Sequence, residues 1–243
     1  MSLCEKPLIL GEPLPRVRVE TTHGHKTIPD DYKGRWLVIF SYPANFTGLT
    51  ATELVALALS QEEFRKLNVE ILGISVDTVF SHLEWVRWFK EKLGLELRFP
   101  LVADPTGAIS KTLCLIHAQP ILKPARATII VDEDGIVRSV LYYPKYVGRS
   151  IRELLRILYA LQVNKSTDKL IPAEWPDGIL AGERALSHPA HRLDEMEYRL
   201  RSGKCIEWWL CLEELEKQIV DEARRLMKLH EPTVFRLESL ETS

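Results

Sequence analysis

From the N-terminus to about residue 160, short apolar runs rich in β-branched residues alternate with longer segments of helical period, and this alternation fixes the fold class. The runs WLVIFSY (residues 36–42), VEILGIS (69–75), ATIIVD (127–132) and IVRSVLYY (136–143) read as strands. The last two flank Glu133-Asp134-Gly135, a turn sequence that makes them a hairpin, so the sheet is mixed rather than purely parallel. Between the strands, Leu54, Leu57, Ala58 and Phe64 keep the spacing of an amphipathic helix. A second helix is expected from about Thr78 to Leu93, stopped by Gly94, with Trp85, Val86 and Phe89 on its inner side. A third, over residues 150–162, closes the first domain. The expectation is an α/β domain over residues 1–162, its central mixed sheet flanked by helices.

Composition then shifts. Residues 163–190 contain Pro172, Pro176, Pro189 and two glycines with few apolar runs, so residues 163–243 read as an extended C-terminal arm rather than a second globular domain. The arm is expected to end in a helix over residues 207–230, with Trp208 and Trp209 presenting too much aromatic surface to leave in water. With 32 basic and 34 acidic residues the formal net charge is −2, which gives no bulk electrostatic attraction for nucleic acid or an anionic membrane. Small molecules or other protein chains are the expected partners. No leader-like segment opens the sequence and no apolar run reaches the ~18 residues of a membrane span, so a cytoplasmic location is expected.

Four cysteines, Cys4, Cys114, Cys205 and Cys211, are too few and scattered for a disulfide framework. They read as buried thiols, redox thiols or metal ligands. Cys205 and Cys211 form neither a CxxC motif nor half of a zinc site, and no metal or cofactor is expected. Were residues 205–211 all helical, the pair would stand about 9 Å apart along the axis, beyond the ~7 Å reach of a disulfide. An internal disulfide requires the helix to begin after Cys205.

The stretch YPANFTGLTATE, residues 42–53, places a proline after a strand, a threonine hydroxyl at Thr47, and then the first turn of an amphipathic helix. A thiol in such a first turn is acidified by the unpaired N–H groups and the helix dipole, the more so beside an arginine. Position 50, however, is Thr50. Thr50-Ala51-Thr52-Glu53 fits a capping box, in which the threonine caps the helix and the glutamate reaches back to the backbone.

The spacing of Pro43, Thr47 and Thr50 resembles the peroxiredoxin motif of proline, three residues, threonine or serine, two residues, cysteine. DTVFSHLEWVRWFKEKLGLE, FPLVADPTG, IHAQ, RATIIVDEDGIVRSVLYYP, VGR and PAEWP extend the resemblance over nearly the whole chain, to the long-armed peroxiredoxins of archaea and of the one-cysteine type. The resemblance implies a thioredoxin-like fold, thiol-dependent reduction of hydroperoxides, and a twofold dimer through sheet edges and arms, often assembled into a ring of five dimers. It puts Thr50 at the peroxidatic cysteine position, Arg126 at the active-site arginine and Arg149 at a second arginine near the pocket. CIEWWLC, with Cys205 and Cys211, is similar to the arm end whose cysteine can act as resolving thiol. Tyr42 stands where many relatives have histidine, and Gly48 replaces a proline.

Simpler roles compete at each position. Thr50 reads first as a helix cap, Thr47 as satisfying loop backbone or binding peroxide, and Arg126 as the salt-bridge partner of Glu53 or a pocket residue, or both. Cys114 reads as a small buried apolar residue before a substitute nucleophile, and His82 and His117 as ordinary core or surface histidines. Two functions remain: a peroxidase working through another cysteine, or a degenerate member that keeps fold and assembly without turnover and co-assembles with an active relative.

Overall fold

The computed structural model describes residues 7–115 and 124–229. Cys4, the IHAQ segment with His117, and the expected helix end at His230 lie outside them. The chain packs as two compact units, one reaching Ile151 and the other starting at Arg152.

Among the described residues the first unit is built on seven strands: β1 Val17–Thr21, β2 Gly24–Ile28, β3 Trp36–Ser41, β4 Val69–Ser75, β5 Leu101–Ala103, β6 Arg126–Val131 and β7 Val137–Tyr143. They form one sheet in the order β2-β1-β5-β4-β3-β6-β7. β3, β4 and β5 run parallel, whereas β6 is antiparallel to β3 and to β7, so the sheet is mixed as the hairpin predicts. All six residues of β3 are buried, which is why the central strand reads as an unbroken apolar run. Leu37 and Ile39 join Leu72, Ile74, Val102, Ile129 and Val131 in one core cluster.

Among the described residues this unit also carries α-helices α1 Gly48–Lys66, α2 Val79–Leu93 and the short α3 Ala108–Thr112. Leu54, Leu57, Ala58 and Phe64 of α1 are buried, as their spacing predicts. In α2, Thr78 caps the N-terminus by accepting from the Ser81 N–H, and Gly94 ends the helix in the left-handed conformation. Trp85 and Phe89 are buried, Val86 only half so. Three strands escape the sequence reading. β1 and β2 carry few apolar residues at the sheet edge, and β5 has only three residues.

The second unit corrects the expectation of an extended arm ending in a long helix. Helix α4, Ile151–Thr167, runs five residues past its predicted end, and α5, Leu193–Ser202, follows a turn-rich stretch with the two-residue strand β8, Ala185–Leu186. Strand β9, Leu212–Glu213, pairs antiparallel with β8, and the last helix among the described residues, α6, covers only Lys217–Lys228. Residues 207–210 form a turn instead, because a disulfide between Cys205 and Cys211 brings their Cα atoms to 4.2 Å, which a continuous helix forbids. Trp175 is buried with Val163 and Ala223, stacks on Tyr159 at 6.1 Å, and donates its indole N–H to the Glu183 carbonyl. The unit thus has a small core of its own. Trp209 is 55% exposed on the single chain.

Candidate active site

The parallel pair β3 and β4 delivers the chain to the loop between β3 and α1, and two polar networks hold that loop. The first lies on the strand side. The Tyr42 hydroxyl donates to Asn45 Oδ1 at 3.1 Å, and Asn45 Nδ2 donates to Ser81 Oγ at 2.8 Å and to His82 Nδ1 at 3.1 Å. Asp77 accepts from the Asn45 N–H at 2.7 Å and from Ser75 Oγ at 2.5 Å. His82 is wholly buried, with Nε2 3.0 Å from the Val102 carbonyl. That contact places its proton on Nε2 and leaves Nδ1 as acceptor for Asn45. Burial lowers the His82 pKa and raises that of Tyr42, so both stay neutral at pH 7. By sequence alone His82 is an ordinary histidine, and Asn45 and Asp77 belong to no motif. Asp77 immediately before the cap residue Thr78 was the available signal.

The second network surrounds Thr50. The helix begins at Gly48 with Thr47 as its N-cap, and no side chain caps it. The expected capping box at Thr50 and Glu53 is therefore not formed: Thr50 sits inside the first turn, and Glu53 is drawn to two guanidinium groups instead. Arg126 Nη1 reaches Glu53 Oε2 at 2.5 Å, while Arg149 grips both carboxylate oxygens through Nε at 2.9 Å and Nη2 at 3.0 Å. The Arg149 backbone N–H adds a further bond to Glu53 Oε1 at 2.9 Å. Charge-assisted forked pairs of this kind outcompete a single backbone N–H for a carboxylate. The Arg126–Glu53 salt bridge expected from the sequence is present and buried on both sides.

Thr50 is fully buried, with its hydroxyl 3.2 Å from Arg126 Nη1 and 2.8 Å from the Thr47 hydroxyl. Thr47 is itself exposed and also lies 3.1 Å from the Ala44 carbonyl, so it serves the loop backbone and faces Thr50 at once. Pro43 is half-buried at the start of the loop. Arg126 is tied to the Lys145 carbonyl through Nε at 3.0 Å, and Arg149 lies over the Phe40 ring at 5.3 Å. Burial first, and Arg149 second, lower the Arg126 pKa, against the pull of Glu53, but a guanidinium remains charged. The structure thus brings Pro43, Thr47, Thr50, Arg126 and Arg149 to one place.

The remaining sulfurs are committed. Cys114, Cys205 and Cys211 are disulfide-bonded, and none of the described cysteines is a free thiol. Cys114 is half-buried with a φ of 53°, not the sealed apolar residue its neighbours suggest. Cys211 is buried with its sulfur 3.8 Å from Arg199 Nη1, and Cys205 is half-buried. No group of three or more metal-ligating side chains occurs among the described residues. None of their helices is long and apolar enough to cross a membrane.

Residues 10–140 match the AhpC/TSA family. The chain is similar to a peroxiredoxin of Hyperthermus butylicus, 46% identical over 90% of this chain and 95% of that one. It is similar also to a peroxiredoxin of Thermotoga maritima, 47% identical over 84% of this chain and 95% of the relative. Among solved structures, the yeast mitochondrial 1-Cys peroxiredoxin superposes with a TM-score of 0.74 at 28% identity, covering 86% of this chain and all of that one. A mutant of the peroxiredoxin 6 of Arenicola marina gives 0.70 at 26% identity, over 79% of this chain and 88% of that one.

Proposed function

The chain belongs to the AhpC/TSA family of peroxiredoxins, and from that membership we propose that it keeps the thioredoxin-like fold and pocket frame but not thiol-dependent hydroperoxide reduction. The observation that carries the reading is Thr50, fully buried at the first turn of α1 against Arg126, where the chemistry requires a sulfur. In that chemistry a thiolate attacks one peroxide oxygen, an S–O bond forms as the O–O bond breaks, the other oxygen takes up a proton and leaves as water or an alcohol, and the sulfenic acid left on the sulfur is reduced by another thiol. A threonine hydroxyl is hardly ionised at pH 7. A helix terminus worth ~1–2 kcal/mol shifts an ionisation by only one or two units. Nor does oxygen enter the sulfenic cycle.

The Pro43, Thr47, Arg126 and Arg149 frame supports a pocket descended from a hydroperoxide site. Catalysis through another cysteine is less well supported, because Cys114, Cys205 and Cys211 are tied in disulfides. The remaining role is structural or regulatory: a homodimer through the C-terminal arms, assembled into a larger ring that does not respond to peroxide and co-assembles with an active relative. Exposed Phe46, Tyr146 and Val147 in the unit that carries the loop support such contacts.

The test is peroxide consumption with dithiothreitol by the wild-type chain beside the Thr50→Cys variant. Wild-type protein consumes peroxide no faster than an ordinary protein thiol, and Thr50→Cys gains turnover. A wild-type rate equal to that of the variant overturns the reading. Light scattering with and without peroxide checks the assembly: a particle larger than a dimer and unchanged in size is expected.

A further inference from the structure

The turn closed by Cys205 and Cys211 interrupts a segment whose sequence is that of a helix. No glycine or proline occurs between Gly203 and Pro232, and Trp208, Leu212 and Leu215 continue backward the apolar stripe that Ile219, Ala223 and Leu226 carry on α6. Leu215 and Ile219 already pack against the core of Val163, Trp175 and Ala223. Glu213 precedes Lys217 by one helical turn, the favourable order for an ion pair on a helix. Yet α6 starts only at Lys217, and no side chain caps it there. A helix through residues 205–211 would separate the two cysteines by about 9 Å along its axis. The disulfide holds their Cα atoms 4.2 Å apart, so bond and helix exclude each other. Besides the disulfide, the turn is held by short-range contacts. β8 and β9 pair over two residues, too short a ladder to be stable alone, with one further bond from the Ser187 N–H to the Cys211 carbonyl at 3.1 Å. Arg199 Nη1 reaches the Trp208 carbonyl at 3.3 Å, and Lys169 Nζ donates to the Glu214 carbonyl at 2.7 Å.

We propose that this turn is a redox-gated helix: a dithiol that opens Cys205–Cys211 lets α6 grow backward from Lys217 to about Glu207, dissolving β8–β9 and carrying Trp208 and Trp209 with it. Cys205 is half-buried and Cys211 buried, so Cys205 Sγ is the sulfur that an incoming thiolate reaches. A bond forms between them as the Cys205–Cys211 bond breaks, and Cys211 leaves as a thiolate beside Arg199, whose Nη1 lies 3.8 Å from its sulfur, then takes up a proton. The second thiol of the reductant attacks the mixed disulfide, frees Cys205 and closes into the reductant's own disulfide, so two electrons pass to the protein. The switch answers to a reductant rather than to peroxide. It needs no chemistry at Thr50 and stands apart from the function proposed above.

The probe is dithiothreitol acting on the full-length chain, read by hydrogen exchange of the amides of residues 207–216 with mass spectrometry. Reduction slows their exchange by roughly tenfold or more, whereas simple loosening of an opened turn would speed it. The double variant Cys205→Ser with Cys211→Ser shows the same protection without reductant, which separates this bond from the disulfide at Cys114. Glu214→Pro is compatible with the oxidised turn, because Glu213 before it is already extended in β9, and gains no protection on reduction, because a proline inside the new helix breaks it. Unchanged or faster exchange over residues 207–216 in the double variant, or equal slowing in Glu214→Pro, overturns the proposal. Circular dichroism verifies folding; should the double variant not fold, reduced wild type with the bond shown open by mass decides in the same way.

Discussion

The loop around Thr50 and the turn closed by Cys205 and Cys211 hold opposite halves of thiol chemistry. The loop has a helix terminus, Arg126 and a buried setting, all of which act on a sulfur, and no sulfur. The turn has two sulfurs, joined to each other, and its nearby arginine, Arg199, is already paired with Glu195. Reactivity in such a fold thus depends on coincidence in one place. Frame and reactive atom are separable, because the frame is maintained by its own ionic and hydrogen-bond network.

If that network is what maintains the frame, Glu53→Gln has the largest effect. It leaves two buried guanidinium groups facing a neutral amide, and chemical denaturation should show a loss of about 3–5 kcal/mol. A loss below about 1 kcal/mol would mean that the frame is held by packing alone. In the turn, Cys211→Ser opens a loop with a sequence separation of 6. Chain-entropy reasoning gives a cost of about 2 kcal/mol, and peroxide consumption should not change. A fall in consumption would bring the turn's sulfurs back into the chemistry.

The smallest effect concerns the neutral network behind the loop. The folded pKa of His82 lies below its ordinary value because the ring is buried. Below about pH 6.5 the unfolded chain therefore takes up a proton that the folded chain refuses, so His82 removes stability as pH falls and none above that range. Denaturation midpoints between pH 7.5 and 5 should decline less steeply for His82→Gln than for wild type, by about 1 kcal/mol in stability. Parallel declines would mean that the ring is not the group titrating.

Strands β3, β4 and β6 were legible in the sequence because buried central strands are continuous apolar runs, the half-buried edge strand β7 because the Glu133-Asp134-Gly135 turn pairs it with β6, and the helices because their apolar residues recur at helical spacing. β1, β2 and β5 were not, since short strands with few apolar residues leave little pattern. Position 50 was legible by spacing from Pro43 and Thr47. The role of Glu53 was only half so: its position suited a capping box equally well, and only the three-dimensional meeting with Arg126 and Arg149, 73 and 96 residues away, decides between them. Likewise the helix expected over residues 207–230 shows apolar periodicity throughout, but the disulfide is a nonlocal constraint that periodicity does not carry.

The central claim, that the pocket is intact and lacks only its reactive atom, is tested most directly by titrating the thiol of Thr50→Cys through its thiolate absorbance near 240 nm. Burial alone raises a thiol pKa above ~8.5, whereas Arg126 and the uncapped first turn of α1 lower it. The frame described here predicts a value below ~7.5. A value at or above ~8.5 would contradict it, because the surroundings of position 50 would then no longer favour an anion.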